Sequence, residues 1–209
     1  DVERSRGLGD VYKRQQMEGL MRLKAMAKIN LGLDVLGKRE DGYHEVRMIM
    51  QTIRMYDILD IRKTRRPGIV LTTNLPFIPT DQRNLVYKAA QMLMEEFDVE
   101  EGLSIKLRKF IPVAAGMAGG SSDAAAAFVG VNRMFHLGLT EEQLMERAVK
   151  VGADVPYCIM RGTALAEGIG EKLTRLPEVP KCYVLIGKPG INVSTKTAYE
   201  NLNLEGIGK

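Results

Sequence analysis

The longest segment whose residues could bind a ligand is 112–128 (PVAAGMAGGSSDAAAAF), where glycines and alanines precede two serines and an alanine run. A helix start leaves backbone N–H groups unpaired and carries partial positive charge, and glycine lets the main chain approach a ligand or take positive φ. Ser121 and Ser122 could cap the helix or donate hydroxyls to a phosphate. The segment predicts a phosphate-binding loop, although an ordinary glycine-rich turn has the same pattern.

Three shorter segments place polar residues among apolar or turn residues: 27–33 (AKINLGL), 41–45 (DGYHE) and 152–156 (GADVP). Each of these segments alone is weak evidence for a function. Lys28 could be a strand-edge lysine, Asp154 a turn aspartate, and His44 a satisfied hairpin or core histidine. Neither the G-x-x-x-x-G-K-[ST] pattern nor the G-x-G-x-x-G pattern occurs in the chain, so two common nucleotide-binding loops are excluded.

The composition is that of a globular protein of one or two domains, with 209 residues of which 45% are hydrophobic. The net charge of +4 suits an anionic small molecule as well as nucleic acid. Two cysteines without a C-x-x-C favour a reducing compartment, so we expect a cytoplasmic protein. Apolar stretches far shorter than the ~20 residues of a membrane helix predict no membrane partner.

The elements that must position these residues follow from periodicity and turn signals. Strands are predicted over 23–37, 42–53, 55–64, 68–73, 103–110 and 181–190, the first two joined as a hairpin. Helices are predicted over 84–97, 121–135 and 140–152, the last with a Thr140–Gln143 capping box, and a further helix starts near residue 194. Residues 153–171 are expected as loop and strand, because Pro156 opposes a simple helix. Early strands followed by mixed elements indicate an α+β fold.

Taken in this order and spacing, the four segments resemble the GHMP small-molecule kinases, over residues 21 to about 203. The segments AKINLGL and DGYHE, with GADVP and AEGIGE, resemble the subgroup that acts on cytidine diphosphate-linked methylerythritol. The resemblance implies the GHMP kinase fold, with an N-terminal nucleotide-binding domain like domain 2 of ribosomal protein S5 and a C-terminal α/β-plait domain. We expect the domains to span 17–165 and 166–209, the second incomplete, after a non-native tail over 1–16.

The resemblance also implies roles for individual residues. Lys28 and Asp154 match the catalytic pair, and Asn30, Tyr43, His44 and Tyr199 match positions that line the cytidine and polyol site. ATP is the implied cofactor, with Mg²⁺ at a position that the sequence does not define. The implied ATP-binding residues are Asn84, Lys109, Pro112, Val113, Ala114, Ala115, Gly116, Met117, Ala118, Gly119, Gly120, Ser121 and Ser122.

Elementary chemistry agrees with these roles. Phosphoryl transfer requires positioning and charge stabilisation more than covalent catalysis. Asp154 can accept the hydroxyl proton, and Lys28 can stabilise the developing charge while keeping that aspartate ionised. Tyr43 and Tyr199 offer flat faces to a base, and His44 offers a hydrogen bond to its polar edge.

The sequence departs from the family pattern in two ways. The loop is AAGMAGG where many relatives have more glycine, and the chain lacks the family's later glycine-rich motif, so we expect a piece of a longer kinase. Two alternatives stay open: another GHMP kinase acting on homoserine, mevalonate or galactose, and an RNA-binding module. The DGYHE segment disfavours the first, and the lack of aromatic residues among the lysines and arginines disfavours the second. We expect no nucleic-acid partner, and a monomer or homodimer.

Overall fold

A computed structural model describes residues 19–188, 190, 198, 201 and 202. Within them the chain forms a mixed six-stranded sheet with four helices, which confirms the α+β expectation. The strands are β1 (Leu20–Lys38), β2 (His44–Thr64), β3 (Ile69–Thr73), β4 (Gly102–Arg108), β5 (Thr163–Gly168) and β6 (Lys172–Arg175). The helices are α1 (Leu85–Glu96), α2 (Gly119–Met134), α3 (Glu141–Ala148) and α4 (Val155–Met160).

Strand β2 organises the sheet. Its 21 residues pair with β1 along one edge, and with β5 and then β4 along the other. The sequence predicted two strands over 42–53 and 55–64, but the strand continues because no glycine or proline interrupts it. The predicted hairpin between β1 and β2 is confirmed. Strands β3 and β4 are parallel, with α1 in the connection between them.

The core lies between one face of the sheet and the helices. Leu59 and Ile61 of β2 are fully buried and pack in one cluster with the alanines and Phe128 of α2. A Cβ atom added at Gly130 of α2 would lie 2.5 Å from the Ile61 Cδ1 atom, so the absent side chain permits this helix to approach the sheet closely. Helix α2 is therefore held tightly against the strands, and the loop that precedes it is held with it.

Two predicted elements are wrong. Residues 155–160 form a helix, because Pro156 falls in the first turn, where its missing N–H would have no partner anyway. Residues 181–188 form no strand, and Tyr183 and Leu185 are fully exposed. The predicted capping box of Thr140 and Gln143 is present at the start of α3.

Other expectations fall at the margins of the description. The tail over 1–16 and most of the helix expected from residue 194 lie outside the described residues. The expected domain boundary after residue 165 falls within β5, which pairs with β2 in the main sheet. Both cysteines are free thiols. Among the helices that the structure describes, none has the length and apolar character needed to cross a membrane.

Candidate active site

The predicted catalytic pair lies together. The Lys28 Nζ atom is 3.6 Å from the Asp154 Oδ2 atom and donates a hydrogen bond of 3.0 Å to the Asn30 Oδ1 atom. The lysine side chain is 6% exposed and the aspartate side chain 33% exposed. The cation is therefore shielded, while the carboxylate can still be reached by a ligand.

An irregularity in β1 sets the direction of the lysine. The pairing register with β2 shifts between Met26 and Lys28, and Ala27 and Lys28 are both buried, which breaks the alternation of the strand. A bulge of this kind redirects side chains at functional sites. Asp154 is the residue directly before α4, so the lysine and the aspartate come from different elements of the fold.

The expected phosphate-binding loop connects β4 to α2 and touches β1 beside Lys28. The Lys28 backbone N–H donates to the Met117 carbonyl at 3.2 Å. Ser122, predicted as a cap or phosphate ligand, is buried inside α2 and donates its hydroxyl to the Met26 carbonyl at 2.6 Å. The cap of α2 is Ala118, which has no side-chain hydrogen bond to offer. The N–H groups of the first turn of α2 therefore lack a side-chain cap, which suits an anion.

Three residues of the loop have a positive φ, and among them only Gly116 was expected to do so from the sequence. Ala114, Gly116 and Ala118 have φ of 54°, 71° and 54°. Gly119 and Gly120 belong to α2, and neither has a positive φ. Space is tight at Gly119, because a Cβ atom there would lie 3.1 Å from the Lys109 Nζ atom and 3.2 Å from the Ile111 Cγ2 atom.

A cleft of about 350 Å³ opens above this loop. Its lining includes both Asn84 and Lys109, so the structure brings most of the predicted ATP-binding set together. A larger groove of about 590 Å³ lies against α1 and contains none of the predicted site residues. The residues that line the loop cleft are Ile78, Pro79, Arg83, Asn84, Leu85, Leu107, Lys109, Pro112, Val113, Ala114, Ala115, Gly116, Met117, Ala118, Gly119, Gly120 and Asp123.

Asn84 supports the cleft wall with its own hydrogen bonds. It is the N-cap of α1: its Oδ1 atom accepts from the Val86 N–H at 2.9 Å, and its Nδ2 atom donates to the Pro79 carbonyl at 2.7 Å. These contacts fix the start of α1 and the preceding loop against the cleft.

A buried charge cluster of Asp57, Lys109 and Asp123 lies beneath the loop. The Lys109 ammonium donates to the Asp57 Oδ2 atom and, at 2.7 Å, to the Asp123 Oδ2 atom. The Asp57 Oδ1 atom accepts from the Ile111 N–H at 2.8 Å and also from the Phe110 N–H. Lys109, predicted from the resemblance to bind the nucleoside, thus has its ammonium engaged by two carboxylates.

One carboxyl group of this cluster has a raised pKa. Burial raises the pKa of Asp123 well above its ordinary value, the nearby Asp57 carboxylate adds to the rise, and the Lys109 ammonium opposes it. The Asp123 Oδ1 atom is buried and has no hydrogen-bond partner among the described residues. Asp123 lines the cleft, so it presents an unpaired polar atom next to the predicted phosphate site.

Sequence reasoning missed both carboxylates, although each has a recognisable signal. Asp57 shares the strand face of Leu59 and Ile61, since alternate residues of a strand point the same way. An acidic residue on an apolar face predicts a buried charge with a partner. Asp123 lies directly before the alanine run of α2, and the residues that follow it from 124 to 129 are all apolar.

Of the predicted cytidine and polyol residues, Asn30 contacts Lys28, whereas Tyr43 and His44 lie at a distance from the pair. Tyr43 is 61% exposed in the turn, and His44 begins β2 opposite Lys38. Asn30 pairs with Met50, six residues further along β2, which corresponds to ~20 Å at the usual rise of a strand. The ribbon therefore offers an extended surface from the lysine to the hairpin, while Tyr199 lies outside the described residues.

Comparisons with known proteins agree with this arrangement. Residues 84–162 match the family described as "GHMP kinases N terminal domain". A protein of Lachnospira eligens named 4-diphosphocytidyl-2-C-methyl-D-erythritol kinase is 57% identical over 183 residues, covering 88% of this chain and 64% of that protein. Another with the same name, from Lachnoclostridium phytofermentans, is 58% identical and is likewise covered to 64% of its length. The chain therefore spans just under two thirds of these relatives.

Solved structures give the same fold. A crystal structure of 4-(cytidine 5'-diphospho)-2C-methyl-D-erythritol kinase superposes with a TM-score of 0.76 at 32% identity, covering 90% of this chain and 67% of that one. A homoserine kinase from Cytophaga hutchinsonii superposes with a TM-score of 0.69 at 19% identity, which is a likeness of fold alone. With its loop, cleft and Lys28–Asp154 pair, the chain belongs to the GHMP kinase family.

Proposed function

We propose that the whole protein transfers the γ-phosphoryl group of ATP to the 2-hydroxyl of 4-diphosphocytidyl-2-C-methyl-D-erythritol, a step of non-mevalonate isoprenoid precursor synthesis. The observation that carries the proposal is the Lys28–Asp154 pair beside an uncapped helix start. The names of relatives 57–58% identical to this chain support the choice of substrate.

Asp154 would act as the proton acceptor. As the substrate hydroxyl oxygen attacks the γ-phosphorus, its proton passes to the Asp154 carboxylate and ADP leaves. The carboxylate is partly exposed and lies 3.6 Å from a buried ammonium, so a substrate hydroxyl could reach it beside a fixed positive charge. General-base assistance of this kind contributes ~10²–10⁴-fold to the rate.

Lys28 would stabilise negative charge on the phosphoryl group in transfer. Its ammonium is bonded to Asn30 and faces Asp154, so its position is fixed before a ligand arrives. Charge that is oriented in advance stabilises a transition state without reorganisation during the reaction. Asn30, predicted to contact the polyol, would also hold this lysine.

The residues of the loop fit a nucleotide. The first turn of α2 has no side-chain cap, Gly119 leaves the room that a side chain would fill, and Asp123 leaves one buried oxygen atom unpaired beside the cleft. Backbone N–H groups from Ala118 to Ser121 would bind the phosphates. ATP supplies the transferred phosphoryl group when bound.

Mg²⁺ remains a prediction. No group of three or more His, Cys, Asp or Glu side chains that could hold a metal ion occurs in the described part of the chain. A magnesium ion would therefore be held mainly by the phosphates and water, as is usual for this cation. Cytoplasmic location and assembly as a monomer or homodimer also stay predictions.

A substrate panel tests the proposal. The protein is incubated with ATP and Mg²⁺ and, in separate reactions, with the cytidine-linked polyol, free methylerythritol phosphate, homoserine, mevalonate and galactose. We expect ADP release above background only with the cytidine-linked polyol, because binding energy from the remote cytidine positions the reacting hydroxyl. Equal rates with free methylerythritol phosphate would contradict the role of the cytidine, and turnover of homoserine or mevalonate would support the alternative kinase.

A further inference from the structure

Helix α4 is fastened to the sheet at the end opposite Asp154. The Gly162 N–H donates to the Thr52 Oγ1 atom at 3.1 Å, and the Tyr157 hydroxyl donates to the Gly162 carbonyl at 2.7 Å. The Thr52 and Tyr157 oxygen atoms are 3.1 Å apart. Since the Tyr157 proton is already used, the single Thr52 proton must go to the Tyr157 oxygen. The three residues thus form a closed ring of hydrogen bonds.

This ring lies directly behind the catalytic lysine. Thr52 of β2 is the register partner of Lys28 on β1, and its backbone N–H also donates to the Gly162 carbonyl at 3.0 Å. Every residue of α4 is buried, and Tyr157 is 1% exposed. The ring therefore joins the strand pair that carries Lys28 to the helix that follows Asp154.

Arg161 adds a second attachment in a backbone conformation that favours glycine. Its φ and ψ are 59° and −174°, a region that non-glycine residues rarely occupy. Its guanidinium donates to the Lys24 carbonyl of β1 at 3.0 Å and to the Cys158 carbonyl of α4 at 3.3 Å. The chain thus holds an arginine where glycine would be less strained, and that arginine bridges the same two elements.

We propose that Thr52, Tyr157, Arg161 and Gly162, here called the α4 anchor, are positioning residues that set the separation of Asp154 and Lys28. The inference rests on the proposed function for its kinetic consequence. None of the four touches the reacting atoms; they act by fixing the helix whose first residue follows the base. Misplacement of a catalytic group by about 1 Å can cost ~10²-fold in rate, so a loose anchor reduces kcat while nucleotide binding at the loop is preserved.

Replacing Arg161 by glycine separates this role from a merely structural one. Arg161→Gly removes the bridge and also relieves the backbone strain, so stability should be unchanged or higher. We expect kcat to fall by ~10–100-fold, with the KM for ATP within about twofold of the parent value. A merely structural role would leave kcat at the parent value, whatever the change in stability.

Asp98→Gly is the matched control. Asp98 also has a positive φ, of 47°, but it lies exposed after α1 and far in sequence from the anchor. This control also places a glycine at a positive φ, and its kcat should stay at the parent value. A kcat for Arg161→Gly equal to that of Asp98→Gly would overturn the proposal.

Hydrogen–deuterium exchange gives a readout that does not depend on turnover. Amide exchange over 155–160 should accelerate in Arg161→Gly and in Tyr157→Phe, which removes one hydroxyl from the ring, but not in Asp98→Gly. Unchanged exchange in both anchor variants would refute the anchor even if the protein had no kinase activity. Absence of turnover in the parent, with accelerated exchange in the variants, would instead refute the proposed function and leave the anchor standing.

Discussion

The two ends of the β1–β2 ribbon differ in how much of the site the described chain completes. At one end Lys28 is 5% exposed and its ammonium contacts Asn30 and Asp154. At the other end Tyr43 is 61% exposed, and residues 30–34 of β1 are all exposed. The end that carries Lys28 is enclosed by α2, α4 and the loop, whereas the hairpin end presents an open surface.

Under the proposed function, this difference corresponds to a division of tasks between the two ends. Chemistry requires fixed charges in a shielded setting, and the buried end supplies them before any ligand arrives. Recognition of a base requires an accessible flat face, which the exposed Tyr43 offers. Substitutions at the buried end should therefore change kcat or stability, and substitutions at the exposed end should change KM.

The largest effect is expected from the base at the buried end. Asp154→Asn removes the proton acceptor and should lower kcat by ~10²–10⁴-fold, with ATP affinity retained. Steady-state ADP release and a separate nucleotide titration measure the two quantities. Lys28→Ala should cost a similar factor, and the double variant should be no worse than either single change if the two act as a unit. Near-normal turnover in Asp154→Asn would remove Asp154 from the role of base.

The buried charge cluster should dominate stability at this end. Asp57→Ala leaves the Ile111 N–H without its acceptor and Lys109 with one carboxylate fewer, so unfolding should become easier by about 3–5 kcal/mol. Urea denaturation measures the loss. The control is Glu101→Ala, which removes an ion pair with Lys63 in which both side chains are about half exposed, and it should cost about 1 kcal/mol or less. Equal losses from the two variants would contradict the special role of the cluster.

The exposed end should respond through substrate affinity. Tyr43→Ala removes a stacking face worth about 1–3 kcal/mol, so the KM for the cytidine-linked polyol should rise ~5–150-fold with the KM for ATP unchanged. Tyr183→Ala, a fully exposed tyrosine away from the ribbon, is the control and should change neither value. If Tyr43→Ala lowers kcat alone, the division of tasks between the two ends is wrong.

The loop should respond through nucleotide affinity. Gly119→Val places a branched side chain where even a Cβ atom would lie 3.1 Å from the Lys109 ammonium. We expect ATP binding to weaken roughly tenfold, the equivalent of about 1.4 kcal/mol. Calorimetric titration of a variant confirmed as folded measures this. Unchanged affinity would make the loop a structural turn.

The smallest effect concerns pH. Because the pKa of Asp123 is raised above its ordinary value of 3.8, the folded protein keeps a proton that the unfolded chain has released. That contribution to stability is complete below this ordinary value and is lost as the pH rises through the raised value. Asp123→Asn mimics the protonated carboxyl, so its stability relative to the parent should increase with pH over that window. Parallel pH profiles from urea denaturation would contradict the assignment.

Periodicity and turn chemistry were enough to predict the hairpin, α1, α3 and the α+β class. These patterns gave wrong predictions where the same local sequence is compatible with two different structures. Pro156 was taken as a helix breaker, yet it lies in the first turn of α4, where a proline costs nothing. The apolar residues over 181–188 suggested a strand, but strand propensity depends on a pairing partner, and residues 183 and 185 are exposed.

Only part of the candidate site could be predicted from the sequence. The resemblance to the GHMP kinases predicted that Lys28 and Asp154 lie together, and their side chains are 3.6 Å apart. The sequence gives no contact information for Asp57, Asp123 and Arg161, whose roles depend on pairs 14 to 137 residues apart. Such long-range polar contacts become visible only once the strands and helices are assembled.

Identification of the product by ³¹P NMR tests the central claim most directly. After incubation with ATP, Mg²⁺ and 4-diphosphocytidyl-2-C-methyl-D-erythritol, the account predicts ADP and one new phosphate monoester resonance, coupled to the carbon that carries the 2-hydroxyl. The cytidine diphosphate resonances should remain intact, and Asp154→Asn should produce almost none of the new signal. Release of inorganic phosphate without a monoester, or cleavage of the cytidine diphosphate, would contradict the account.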